Sequence, residues 1–207
     1  RKALESASRY FDASDNLTVS TLEAAYGQES SFGTMLGTRG STSAAGHFQF
    51  TPETAKRYGL SVSKNNDQRF DIDYASSAAA RYLKDLDMMF SKRTTLSRQR
   101  DTIAVTGVSE RKKFVLGAFN AGEGRIAGAQ RRAEKAGKDP QLWSDVVDYL
   151  ANETQRYVEK IFLYEVEFAQ KSPVDKNRKE KSVRREKYRC TEGHWVTIDD
   201  RPVFICD

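Results

Sequence analysis

Histidine and cysteine are scarce in this chain, and long apolar runs are missing from it. Its 207 residues hold two histidines and two cysteines. His47 and His194 lack ligand-like spacing, so neither a metal site nor a cofactor is expected. No apolar run approaches the roughly 20 residues that a bilayer-spanning helix needs. The sequence starts at Arg1 without a signal-like apolar segment, so a targeting peptide or membrane anchor ahead of residue 1 could have been removed. Convincing alternation of apolar and polar residues is absent between residues 20 and 170, which argues against a sheet there, and no internal repeat is visible.

What is present suits one helical core. Hydrophobic residues make up 38% of the chain and aromatics 11%, enough to fill one core under a polar surface. The formal charge of +5 is unevenly placed. Residues 171–189 hold nine basic and three acidic side chains, a surplus of six, so the rest carries about one net negative charge. Tyr188 is the single aromatic in that run, so nucleic acid is not an expected partner. A solvated linker, or attraction to an anionic polymer or membrane surface, is the more general reading. Both cysteines, Cys190 and Cys206, lie beyond it, and the body has none. One disulfide there would contribute about 3 kcal/mol. Two unpaired thiols in a cytosolic protein are the alternative.

Helical periodicity is expected over residues 2–11, 52–58, 72–90, 111–119, 125–135 and 142–150. A last long helix starts at Asn152 with a stripe of Tyr157, Ile161, Tyr164 and Phe168. Thr51 followed by Pro52 is a helix start, and residues 33–46 and 92–109 read as loops. Trp195 to Ile198 and Pro202 to Ile205, separated by Asp199-Asp200, read as a two-stranded hairpin stapled by the cysteines.

The stretch from Ser20 to Phe32 organises the rest. Ser20 with Glu23 three residues later predicts a capping box. Leu22, Ala25, Tyr26 and Glu29 follow at offsets of three and four and so share a face, with Gly33 as the helix stop. Glu29 then ends an apolar stripe at the negative end of the helix dipole. Both influences raise a carboxyl pKa, as a general acid near neutrality requires. A solvated last-turn glutamate is the competing reading.

Four motifs recur in order: Glu29-Ser30 with Phe32, then Gly46-His47-Phe48-Gln49. Ala118-Phe119-Asn120-Ala121-Gly122 follows, and then Glu153-Thr154 with Tyr157-Val158 and Ile161. Together, over about residues 18–165, they resemble the soluble-lytic-transglycosylase-like family, a branch of the lysozyme-like superfamily. The resemblance implies a mainly α, lysozyme-like domain that cleaves the β-1,4 bond between N-acetylmuramic acid and N-acetylglucosamine in peptidoglycan. It implies Glu29 as the single catalytic group. Glu29 first protonates the glycosidic oxygen and then takes the proton from the C6 hydroxyl, so a 1,6-anhydro ring closes. The substrate's acetamido group stabilises the intermediate, so no second catalytic carboxylate is needed.

The same resemblance implies substrate contacts from Ser30, Gly46, Phe48, Gln49, Phe119, Asn120, Glu153 and Tyr157. Five of them have a plainer reading. Ser30 could satisfy helix backbone, Asn120 could cap a helix, and Glu153 could pair with a helix dipole; Phe48 and Tyr157 could be core. Two departures from the family pattern stand out. His47-Phe48 replaces Leu-Met, which reshapes a sugar-facing wall. Phe119 replaces a tyrosine, and loss of its hydroxyl is expected to raise the Glu29 pKa further.

The expected organisation is a lysozyme-like lytic transglycosylase domain over residues 1–170, a basic linker over 171–189, and a small disulfide-linked hairpin over 190–207. The implied setting is the periplasm or cell envelope. The implied partners are peptidoglycan glycan strands, with an envelope-complex protein and a membrane anchor left open. A muramidase that uses water, and a non-catalytic peptidoglycan-binding scaffold, are the alternatives.

Overall fold

The computed structural model describes residues 1–96, 100–170, 193–198 and 201–206. They form two compact units, Arg1–Ala169 and Gln170–Asp207. In the first unit, α1 (Lys2–Ala7) runs into a 3-10 turn and is followed by α2 (Val19–Ser30) and α3 (Pro52–Arg57). The long α4 (Ile72–Ser91) precedes α5 (Val108–Ala121), α6 (Glu123–Lys135), the short α7 (Trp143–Val146) and α8 (Asn152–Gln170).

Helix α4 is the element on which the others stack. The Asp71 carboxylate caps it by accepting from the amides of Asp73 and Tyr74. Ala75, Ala78 and Ala79 are fully buried, so α1 and α5 come close, while Leu83, Leu86 and Phe90 fill the core beyond them. Buried ion pairs tie the helices together. Asp87 accepts from Arg111 Nε at 2.7 Å, and Lys112 donates to Glu165 at 2.7 Å. Glu165 also accepts from the Thr21 hydroxyl, which joins α2, α5 and α8 at one carboxylate.

Several helix boundaries differ from the sequence expectation. Helix α2 is capped by Thr18, not Ser20: the Thr18 hydroxyl accepts from the Thr21 amide, and the Thr21 hydroxyl accepts from the Thr18 amide. A threonine pair thus does what the Ser20–Glu23 pair was expected to do, and α2 starts two residues earlier. Helix α2 ends at Ser31, which takes a left-handed conformation (φ 48°), before Gly33 is reached. Helices α5 and α6 are separated by Gly122 alone (φ 88°), so α6 begins at Glu123 rather than residue 125.

Residues 92–109 also hold more structure than a loop. Strands β1 (Thr95–Leu96) and β2 (Arg100–Asp101) pair antiparallel. The segment beyond them is pinned by the buried Gln130, whose amide bridges the Ile103 backbone and the Pro140 carbonyl. In the second unit, β3 (Gly193–Ile198) pairs antiparallel with β4 (Arg201–Cys206), with Trp195 opposite Phe204. The basic segment 171–189 lies outside the described residues, as do Cys190 and the Cys206 side chain, and with them the expected disulfide. Among the described residues no helix is long and apolar enough to cross a membrane.

Candidate active site

Glu29 sits one residue from the end of α2, and the turn that follows is shaped around it. Ser31 and Phe32 both take positive φ (48° and 57°), so the chain doubles back. The Phe32 ring then lies edge-on to Tyr26, with centroids 5.8 Å apart, and covers Gly27. A Cβ on Gly27 would stand 2.5 Å from the tip of that ring, so a larger residue there would push the ring aside. Ser30 is fully buried. Its hydroxyl is 2.8 Å from the His47 carbonyl and accepts from the Gly33 amide at 3.1 Å. It therefore fastens the helix end to residues 46–50 and has no surface left for a ligand.

Residues 41–50 are held by an arginine that no sequence motif marks. Arg69 is fully buried and pairs in bidentate fashion with Asp67, at 2.9 and 2.7 Å. Its remaining donors reach the carbonyls of Ser41, Ser43 and Phe50 at 2.9–3.0 Å. Asp67 also accepts from the Gly40 amide at 2.8 Å. Gly46 (φ 82°) packs against the Arg69 backbone, where an added Cβ would lie 2.1 Å from the carbonyl oxygen. A close approach that demands glycine here is the one to Arg69.

The two phenylalanines expected at the substrate wall belong to the core. Phe48 is 2% exposed and stacks on Phe50, and Phe119 is 8% exposed between Phe50 and Tyr82. Neither lines the cavity beside Glu29. The hydroxyl that acts on that carboxyl belongs to Tyr157.

The cavity itself has a volume of about 610 Å³ and is lined by Glu29, Gln49, Asn120, Glu153 and Tyr157, joined by Gln28, Ala44, Arg156 and Lys160. Five of the residues singled out in the sequence therefore meet at one place. Arg156 and Lys160 were not singled out, although they share the α8 face of Glu153 and Tyr157 at helical spacing. Two of the lining amides are oriented by the fold. Gln49 (φ 46°) donates through Nε2 to the Gly46 and Met35 carbonyls, at 2.8 and 3.2 Å, which leaves its oxygen for the cavity. Asn120 accepts from the Thr154 hydroxyl through Oδ1 at 2.9 Å, which leaves its NH₂ group free to donate.

Burial raises the Glu29 carboxyl to about 7, with the Tyr157 phenol pulling it down and the charge of Glu153 pushing it up. Tyr157 Oη is buried without a hydrogen-bond partner of normal geometry, and its own pKa is raised by burial and by Glu29. Glu29 is thus a carboxyl that can give and take a proton near neutral pH. A second cavity of about 580 Å³ adjoins the first and shares Asn120 and Glu153 with it. Among the described residues no cluster of His, Cys, Asp or Glu could hold a metal ion.

The fold and site define a helical protein with a buried, raised carboxyl on a polar cleft that side-chain amides also line. The transglycosylase SLT domain family matches residues 8–142, and the chain belongs to that family. The match contains Glu29, Gly46, Gln49 and Asn120, while Glu153 and Tyr157 lie beyond it.

Among curated relatives, membrane-bound lytic murein transglycosylase D of Escherichia coli is 30% identical over 57% of this chain and 22% of its own length. Membrane-bound lytic murein transglycosylase F of Maricaulis maris is 32% identical over 53% of the chain and 20% of that protein. The corresponding protein of Marinobacter nauticus is 33% identical over 53% and 18%. The chain spans about a fifth of the length of these relatives.

Proposed function

We propose that the Arg1–Ala169 unit is a lysozyme-like peptidoglycan lytic transglycosylase domain acting in the bacterial cell envelope. The observation that carries this reading is Glu29, with its carboxyl raised to about 7 on a cleft lined by oriented amides. The names of the relatives supply the substrate class and the envelope setting.

Protonated Glu29 gives its proton to the oxygen of the β-1,4 bond as that bond breaks at the muramic C1. The neighbouring acetamido oxygen bonds to C1 and carries the positive charge. The resulting Glu29 carboxylate then takes the proton from the C6 hydroxyl. O6 displaces the acetamido oxygen at C1, and the 1,6-anhydro ring closes. The carboxyl ends protonated, as it began. Asn120 donates and Gln49 accepts within the one cavity, which suits an N-acetyl sugar. Tyr157 Oη is placed to donate to the carboxylate formed midway.

Mass spectrometry of fragments released from purified peptidoglycan tests the reading. Anhydro products, lighter by one water than hydrolytic ones and absent with Glu29→Gln, are expected. Glu29-dependent reducing-end products would replace the transglycosylase with a muramidase. Binding without any Glu29-dependent release would leave a peptidoglycan-binding scaffold.

A further inference from the structure

The second cavity has a chemistry of its own. It lies between α6, β2 and the start of α8, and three guanidinium groups line it: Arg100, Arg125 and Arg132. Arg125, Gly128 and Arg132 fall at offsets of three and four on one face of α6. A Cβ at Gly128 would meet nothing within 4 Å, so an open shelf separates the two arginines. Each guanidinium is held by one backbone carbonyl. Arg100 reaches Gly124 at 3.5 Å, Arg125 reaches Ala121 at 3.2 Å, and Arg132 reaches Tyr149 at 2.6 Å. None of the three forms an ion pair with a described carboxylate. Most of their donors are therefore available, and Glu153 is the one acidic residue on the wall.

A space of about 580 Å³ with three cations is too large for a single small anion and suits several carboxylates on one flexible chain. If the neighbouring cavity holds N-acetylmuramic acid, that ligand is at hand. The stem peptide hangs from the lactyl ether of the same sugar and carries free carboxylates. Resting on the peptidoglycan reading above, we propose that the Arg100–Arg125–Arg132 cavity binds the carboxylates of the stem peptide. The domain thereby distinguishes peptide-bearing strands from bare glycan. Asn120 and Glu153, shared by both cavities, mark where sugar gives way to peptide.

The test titrates the full chain carrying Glu29→Gln with two soluble tetrasaccharide fragments of peptidoglycan, one with stem peptides and one stripped of them. It repeats this with Arg125→Ala/Arg132→Ala added. The peptide-bearing fragment is expected to bind about ten-fold tighter at low salt, a difference of about 1.4 kcal/mol spread over exposed charge contacts. The preference should shrink toward unity with added salt and in the double arginine variant. Cleavage of stripped strands by the arginine variant with Glu29 intact should match that of the unaltered protein. Equal affinity for the two fragments, or a preference that survives the double substitution, overturns the proposal. If stripped strands are still cleaved in that event, the catalytic reading stands and only the peptide site falls. If neither fragment binds and neither is cleaved, both readings fall together.

Discussion

Tyr157 turns a buried phenol oxygen toward the carboxyl of Glu29 and finds no other partner for it. A buried hydroxyl without a hydrogen bond is a cost to the fold, of about 1–3 kcal/mol in typical cases. Its placement makes sense if the bond forms fully only when Glu29 is ionised, as it is midway through the proposed reaction.

Tyr157→Phe therefore separates stability from function. Removing an unsatisfied hydroxyl while keeping the ring should leave unfolding free energy unchanged or raise it by up to about 1 kcal/mol. The carboxylate loses the group that lowers its pKa, so the Glu29 pKa should rise. The alkaline limb of the pH–rate profile should move to higher pH while kcat falls. A variant that is strongly destabilised, or whose alkaline limb moves to lower pH, contradicts this role.

Glu29 itself should destabilise the fold above neutrality. Its carboxyl rises from 4.5 unfolded to about 7 folded, so between those values the native state holds more protons than the unfolded state. Stability associated with this group is complete below pH 4.5 and is lost as pH rises through 7. Glu29→Gln removes the penalty. Because the residue retains some contact with water, the gain at pH 8 should be about 1–3 kcal/mol, falling to nearly zero at pH 4.5. Chemical denaturation at the two pH values measures it, and a pH-independent difference would show that Glu29 titrates normally.

The sequence disclosed the helices and the acid because both are written locally. Periodicity places α4 and α8, and the stripe ending in Glu29 marks a carboxyl under apolar cover. It also pointed to Gln49, Asn120, Glu153 and Tyr157, which line the Glu29 cavity, through motifs that resemble those of a family. The burial of Phe48, Phe119 and Ser30 and the contact made by Gly46 were not legible. Whether a ring faces a cleft or a core depends on helix packing across the chain, and local sequence does not encode that. The partner that makes Gly46 necessary is Arg69, 23 residues away. An arginine in a polar stretch carries no sign of burial until five donors are matched to five acceptors.

Arg69 accordingly should be the least tolerant position outside the cavity. Arg69→Met keeps length and apolar stem but leaves the Asp67 carboxylate and the Ser41, Ser43 and Phe50 carbonyls without their donor. Removing one partner of a buried pair typically costs about 3–5 kcal/mol. Arg69→Lys keeps the charge but cannot span the acceptors, so it should fall short of full recovery. Denaturant midpoints read the stability, and hydrogen exchange should show residues 41–50 losing protection first. Equal loss of protection throughout the helical unit would argue against a local strut.

Asn120 and Thr154 give a test that stability does not dominate. The Thr154 hydroxyl fixes the Asn120 amide by occupying its oxygen, so the NH₂ group faces the cavity. Thr154→Val keeps the branched shape and removes that anchor, which lets the amide rotate and present either end. Half of the orientations then offer an acceptor where the sugar needs a donor, and an oriented contact of this kind is worth about 1 kcal/mol. The expected result is a rise in KM of about three- to ten-fold with a smaller change in kcat, because the proton chemistry at Glu29 is untouched. Asn120→Ala should raise KM at least as far, and adding Thr154→Val to it should cost nothing further. Additive losses in that double variant would mean that Thr154 acts on the substrate directly and not by orienting Asn120.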